Sequence, residues 1–356
     1  MHSERPQGVL KVDGCDGRSR GEGTVTDIRS AEMIMSTDVR QRGFVHSALL
    51  YHSEREYLDF VTRFVVDGLA LDEPVLVAIP GNKLPSMRDV LWLACEDGLP
   101  AHLQLVDITE IARNPGRLLA IEGSFSAAHP GRRVRIVSQL AWPGRTADEL
   151  LACAQHEALV NGAFEGHDAV ALCLFDANQL DEDVLADARC THPMLWKCGS
   201  AYRSAEYAPD RALARCNKPL PTSPGAVTYT VRQKADLRPA RSFAVDYADW
   251  VGLSRDGIEE LQLIATELAS NSLMYTDGGC QLAFWRQEQH LVCEARDTGR
   301  FVDPLAGRRP LGASGNASRG LFMVNAMADL VRTHTTGTGT TIQAYLRLHP
   351  SRGQKG

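Results

Sequence analysis

The sequence predicts two α/β domains joined by a proline-rich linker. Three observations predict this. Continuous apolar strands alternate with amphipathic helices from Gly43 to about Tyr207. Three prolines and a glycine then interrupt all periodicity between Arg215 and Ala226. After them the grammar changes to two helices, a hairpin, an irregular loop, a helix and a second hairpin. Strands apolar on both faces belong in a parallel sheet covered on both sides. The second pattern predicts an α/β sandwich, with helices on one face of a mixed sheet.

Composition narrows the function classes. The chain has 356 residues, suited to two domains, with 44% hydrophobic residues to fill two cores. Lys+Arg 38 against Asp+Glu 44 gives a net charge of −6, which argues against a broad nucleic-acid footprint. No apolar run approaches the ~18 residues of a membrane span. The segment Met1–Gly14 has no apolar signal core, so a cytoplasmic location is expected. The cysteines are scattered and include no C-x-x-C. Cys153, Cys173 and Cys293 sit in apolar strings, where a thiol packs as a small core residue. Cys190, His192, Cys198 and Cys216 were weighed as zinc ligands, but their spacing fits none of the usual knuckles.

In order, residues 1–42 are Gly-rich and about one-third charged, and are expected to be disordered, with Met33 and Met35 as alternative starts. Phe44–Tyr51 is the first strand. Ser53 and Glu56 read as a capping box that opens a helix through Tyr57, Phe60, Val61, Phe64 and Val65. Strands at 74–79, 103–106, 134–137 and 169–175 alternate with helices near 84–96, 115–127 and 147–163. The domain is expected to span 43–210, and the linker 211–225. A further unit follows at 226–349, then a short tail at 350–356. In that unit the strand 227–231 leads to helices at 237–251 and 255–275. Strands at 281–286 and 291–296, a Gly/Pro/Arg-rich loop, a helix from Gly320 and two final strands complete it.

The chemistry-bearing residues lie in this second unit. Glu267 and Asn271, spaced i and i+4, share one face of a helix, where a carboxylate and an amide oxygen can serve a proton and a metal-bound phosphate. Asp297-Thr298-Gly299 ends a strand, placing a carboxylate where backbone can approach closely. Ser318-Arg319-Gly320-Leu321 opens a helix, whose free N–H groups and dipole suit a phosphate. Gly337-Thr338-Gly339-Thr340-Thr341 precedes the last strand. Each stretch alone also reads as ordinary turn or cap chemistry.

Together, in this order, these stretches resemble the N, G1, G2 and G3 boxes of the GHKL (Bergerat, histidine-kinase-like) ATPases. Over Ala226–Leu348 they are most similar to RsbW-like anti-sigma-factor serine kinases. The resemblance implies ATP and Mg²⁺ as cofactors, Glu267 as general base, Asn271 as the Mg²⁺ ligand and Asp297 as the adenine partner. It places Gly299 against the base and Thr340 or Thr341 behind it. Arg300–Arg319 becomes the ATP lid, with Arg319, Gly320 and Leu321 at the phosphates. Arg300-Phe301, Ser318 and Tyr275 depart from the family pattern. The lid's Gly and Pro residues, with Arg308 and Arg309, predict a mobile, protease-sensitive loop. The partners implied are a sigma factor and a STAS-type anti-sigma-factor antagonist, with a second copy of the chain as a further one.

Phe44–Gly199 resembles the MEDS sensory domain, a RecA-related module. Val45–Tyr57, Pro74–Pro80, the Glu157 helix, Ala171–Asp176 and Thr191-His192-Pro193 carry that likeness. None of the lysines precedes Ser or Thr, so Pro80-Gly81-Asn82-Lys83-Leu84 is no Walker loop. His46, Glu157, Asp176 and His192 are the candidates for a small-molecule pocket. The function expected is therefore a serine/threonine kinase of the anti-sigma type under a ligand-sensing domain. The alternatives are a non-catalytic anti-sigma module with a decayed ATP site, and a sensor histidine kinase. The last lacks a phosphoacceptor, because the final His before Glu267 is His192, followed by Pro193 and then the linker.

Overall fold

The computed structural model describes residues 43–96, 98–197, 200–310 and 318–348. The expected tails at 1–42 and 350–356 lie outside them. Two sheets organise the chain. The first runs β3-β2-β4-β5-β1-β6-β7, and the second β11-β12-β10-β9-β8.

In the first unit, β1 (Phe44–Tyr51), β2 (Val75–Ile79), β3 (Leu103–Asp107), β4 (Val134–Ser138), β5 (Ala169–Asp176) and β6 (Met194–Lys197) are parallel. β7 (Ser200–Arg203) is antiparallel to β6 at the edge. Helices α1 (Glu54–Ala70) and α2 (Leu84–Ala94) cover one face through Phe60, Phe64, Met87 and Leu91. Helices α3 (Leu118–Ala127) and α4 (Ala147–Ala163) cover the other through Leu118, Phe125, Leu159 and Val160. Every residue of β5 is buried, as the unbroken apolar run requires.

Local chemistry sets the helix starts. Ser53 accepts from the Glu56 N–H, while Glu56 reaches back to the His52 N–H, one residue beyond the expected box. Thr146 and Glu149 form the full reciprocal box at α4. Helix α5 (Glu182–Thr191) and strands β6 and β7 were not anticipated, because they are short and only partly apolar.

The expected linker at 211–225 is partly helical. α6 (Pro209–Cys216) starts on a helix-compatible proline and buries Ala212 and Cys216. The residues after it are stitched to the second sheet. Asn217 exchanges hydrogen bonds with Thr335, and Thr222 donates to Glu294 at 2.5 Å.

In the second unit, β8 (Val227–Val231), β9 (Cys280–Gln287), β10 (His290–Asp297), β11 (Leu330–Thr336) and β12 (Gly339–Arg347) form an antiparallel sheet throughout, not the mixed sheet expected. Helices α7 (Leu237–Val251), α8 (Arg255–Tyr275) and α9 (Arg319–Met327) pack on one face around Leu261, Ile264, Leu268, Phe284 and Cys293. The opposite face is not left to water. Ala283, Trp285, Val292, Leu330 and Tyr345 pack against Ala152 of α4. The two units therefore share an apolar contact. Among the described residues, no helix is long and apolar enough to cross a membrane.

Candidate functional sites

Helix α8 starts at an Ser254 cap and buries its Leu261-Ile264-Leu268 stripe, which turns Glu267 and Asn271 toward the start of α9. A Cβ placed on Gly320 would lie inside van der Waals contact of Glu267 Oε2 and 3.5 Å from Asn271 Oδ1. A side chain there would have to displace the Glu267 carboxylate. The Asn271 amide nitrogen is shielded from solvent and has no hydrogen-bond partner among the described residues. Arg319 is the first residue of α9, and Ser318 before it makes no side-chain cap bond.

Asp297 ends β10, directly opposite Thr340 of β12. Its Oδ2 accepts from Ser272 Oγ at 2.5 Å, and its Oδ1 accepts from the Gly299 N–H at 2.9 Å. Ser272 lies one residue beyond Asn271, so a single turn of α8 fixes both the amide and the carboxylate. Thr340 Oγ1 donates to the Gly299 carbonyl at 2.8 Å and lies 3.1 Å from the Phe301 N–H that it accepts. Thr341 does not join this group. Strand alternation puts it on the opposite sheet face, across from Arg296. Leu321 packs against Gly307, where both the φ of +75° and the close approach of the α9 backbone call for glycine.

The expected mobile lid is a docked segment in its described part. Leu305 is buried in the core of the first unit, beside Leu118 and Phe125. Pro310 lies against Gly123 of α3. Arg308 is only 5% exposed and donates to Gln155 Oε1 of α4 at 3.0 Å. Burial, with Arg332 nearby, pulls its pKa down to about 10. Docking wins over mobility because the loop's apolar residues find a surface. Residues 311–317 lie outside the described residues. Asn325 of α9 completes the junction. Asn114 donates to its carbonyl at 2.9 Å, and its own amide donates to the Gly307 and Leu321 carbonyls. Arg117 donates to the carbonyls of Asn325 and Ala328.

In the first unit, His46, Glu157 and His192 come together, and Cys173 joins them. All four are at most 3% exposed. Burial, together with His192, lowers the His46 pKa to about 4, so the imidazole is neutral. Asp176 is not part of this group. It follows Cys173 by three strand positions, which puts it ~10 Å farther along and on the other face. There it accepts from Gln179 and the Asn178 N–H. Cys190 and Cys216 donate to the carbonyls of Ala208 and Leu151 instead. Lys83, set aside as a phosphate ligand, donates to the Tyr51 hydroxyl at 2.6 Å and lies over the Tyr51 and Tyr57 rings.

The fold defines a two-unit α/β protein with an α/β sandwich at its C-terminal end. Residues 45–193 match the model of the MEDS family, the MEthanogen/methylotroph, DcmR Sensory domain. Residues 230–346 match that of the histidine kinase-like ATPase domain. The chain thus unites a MEDS domain with a histidine kinase-like ATPase domain.

Among solved structures, the chain is similar to the RsbU and RsbW domains of Rv1364c from Mycobacterium tuberculosis. The identity is 18%, over 37% of this chain and 34% of that one, with a TM-score of 0.28. It is also similar to the SiaB–SiaC complex from Pseudomonas aeruginosa, at 10% identity over 34% and 88% of the two chains (TM-score 0.29). A third is the Acinetobacter baumannii histidine kinase AdeS, at 11% identity over 35% and 68% (TM-score 0.23). The chain spans about a third of the length of the first of these. No curated protein sequence matches it.

Proposed function

We propose that the chain is an ATP-dependent serine/threonine kinase of the RsbW-like anti-sigma type, controlled by its MEDS domain. The observation that carries this reading is the juxtaposition at the start of α9. There Glu267, the unpartnered Asn271 amide and Gly320 meet within one turn of a helix that Ser318 does not cap. These residues fit a nucleotide with its metal. The Asn271 N–H₂ has no protein acceptor and can donate to a phosphate oxygen, its Oδ1 lies near the Glu267 carboxylate, and the glycine lets the α9 backbone approach both.

Asn271 Oδ1 would hold Mg²⁺, which when bound neutralises charge on the phosphates. Asp297, oriented by Ser272 and Gly299, accepts from the adenine amino group. Thr340 braces the Gly299 carbonyl behind the base. Arg319, Gly320 and Leu321 lie at the phosphate end. Glu267 takes the proton from a serine or threonine hydroxyl of a STAS-type antagonist. Control by the first unit is supported by the docking of Leu305, Arg308 and Asn325 onto it. The capture of a sigma factor belongs to the same proposal.

The test is ATP titration of the full chain with and without Mg²⁺, followed by phosphotransfer to candidate antagonists. Glu267→Gln is expected to keep nucleotide affinity and lose phosphotransfer. Equal phosphotransfer by this variant overturns the general-base role. Mg²⁺-independent affinity overturns the role of Asn271. If nucleotide binds tightly but no antagonist is phosphorylated, the non-catalytic anti-sigma module replaces the kinase.

A further inference from the structure

We propose that the MEDS domain holds a divalent transition-metal ion of the zinc type on His46 Nε2, His192 Nε2, Cys173 Sγ and Glu157 Oε2. The site is independent of the ATPase reading. It is assembled from four elements. His46 stands on β1, and Cys173 on the neighbouring strand β5. Glu157 projects from α4, and His192 is the residue that ends α5. All four ligand atoms lie within 4.8 Å of one another.

The hydrogen bonds around the imidazoles set their tautomers. Asn161 directs its amide nitrogen at the carbonyls of Glu157, Ala158 and Thr191, so its Oδ1 faces His46 Nδ1 as an acceptor at 3.1 Å. His46 therefore carries its proton on Nδ1. His192 Nδ1 lies 2.8 Å from the Ala188 carbonyl, which can only accept. The neutral His46 ring thus turns a bare Nε2 toward Glu157 Oε2 at 3.5 Å, and His192 turns its Nε2 to the same oxygen at 3.4 Å. His192 Nε2 has no hydrogen-bond partner among the described residues. A bare imidazole nitrogen facing a carboxylate oxygen in a buried site is an acceptor facing an acceptor. The Cys173 thiol, 3.1 Å from Glu157 Oε2 and 3.4 Å from His46 Nε2, supplies one proton, which cannot satisfy both.

A divalent cation resolves each of these conflicts. It gives every acceptor a partner, and the charges of a thiolate and a carboxylate cancel its own. The spacing also fits. Metal–ligand distances of ~2.0–2.3 Å in a tetrahedral zinc site place neighbouring ligand atoms roughly 3.3–3.8 Å apart. Four of the six ligand–ligand separations, 3.1 to 3.5 Å, lie close to that edge length, and all six are within 4.8 Å. Two imidazoles, a thiolate and one carboxylate favour zinc and its neighbours over the all-oxygen shells of Mg²⁺ and Ca²⁺. The outer contacts are those a metal-bound histidine uses, its second nitrogen donating to a carbonyl or amide oxygen. Ser138 Oγ lies 3.4 Å from Cys173 Sγ, placed to donate to a thiolate.

The test uses the full chain and cobalt(II) as a spectroscopic probe, with elemental analysis of the protein as purified. A single ion per chain is expected, with tetrahedral ligand-field bands and a thiolate charge-transfer band that zinc abolishes by displacement. Cys173→Ser should remove the charge-transfer band. Asn161→Leu, which touches the ion only through His46, should weaken binding about 10–100-fold while keeping the band. Circular dichroism checks that both variants fold. If either does not, the titration of the unaltered chain decides. A folded chain that shows no cobalt bands and carries no metal overturns the proposal. So does a charge-transfer band that survives Cys173→Ser. Nucleotide affinity, measured on the same samples, reports separately on the ATPase reading.

Discussion

Arg308 donates a hydrogen bond to Gln155 at 3.0 Å, joining the segment after β10 to the helix that carries Glu157 two residues later. One rigid helix therefore faces both the buried His/Cys/Glu cluster and the segment leading to the nucleotide site. Arg308 forms no ion pair with a carboxylate among the described residues, and its burial is costly. Gln155 is the side chain that makes this burial tolerable.

Gln155→Leu removes that acceptor and keeps the volume. A buried donor left unsatisfied costs ~1–3 kcal/mol, more for a charged group. The segment 301–310 is expected to undock, with faster tryptic cleavage after Arg308 and an unchanged far-UV spectrum. Cleavage at the wild-type rate would show that Leu305 and Pro310 alone hold the segment.

Asp297→Asn should weaken ATP binding by about ten- to hundredfold, the worth of a charge-assisted hydrogen bond at ~1.5–3 kcal/mol. The variant keeps an acceptor for Ser272 or Gly299, so thermal stability should change little. Calorimetry on the Mg²⁺-loaded nucleotide checks the affinity, and an unchanged value removes Asp297 from the adenine position.

Much of this was legible along the chain, because periodicity reports burial. The β5 run and the Leu261-Ile264-Leu268 stripe each announced an element. Spacing placed Glu267, Asn271 and Asp297 on those elements, whereas the roles proposed for them came only from the family resemblance. Cys173 was not. Inside an apolar strand a thiol reads as packing, and its partners at 46, 157 and 192 meet it only through the sheet and helix layers. Of the alternatives Thr340 and Thr341, strand phase, fixed by Ala344 and Leu346 on the helix-covered face, puts Thr340 on the side of Asp297. The docking of the lid was invisible, because Leu305 and Arg308 look like loop residues until a second unit is placed beside them.

Gly320→Ala tests the crowding at the start of α9. The added methyl meets the Glu267 carboxylate, the far end of a flexible side chain, and must displace it. Nucleotide affinity should fall with little change in melting temperature, whereas Glu267→Gln should affect neither. An alanine variant of normal affinity would mean that Glu267 turns aside without disturbing the phosphate end.

Asn325 ties three parts of the molecule with one side chain and one carbonyl. Its amide donates to Gly307 on the lid segment and to Leu321 on its own helix, and its carbonyl and Oδ1 receive the Asn114 amide from the first unit. Asn325→Leu keeps the size, leaves the Gly307 carbonyl unpaired and takes one of two acceptors from Asn114. The backbone bonds from Asn114 and Arg117 to the Asn325 carbonyl remain, so the two units should stay together. The expected result is selective. Hydrogen exchange should quicken over 301–310 and at the start of α9, while β9, β10 and β12 keep their protection. ATP affinity should then lose its dependence on the state of the first unit, read as equal affinities for the metal-loaded and chelator-treated variant. If exchange quickens across the whole second unit, Asn325 serves stability alone. If affinity still differs between the two preparations, coupling passes through another contact, and the Gln155–Arg308 bond is the one to remove next.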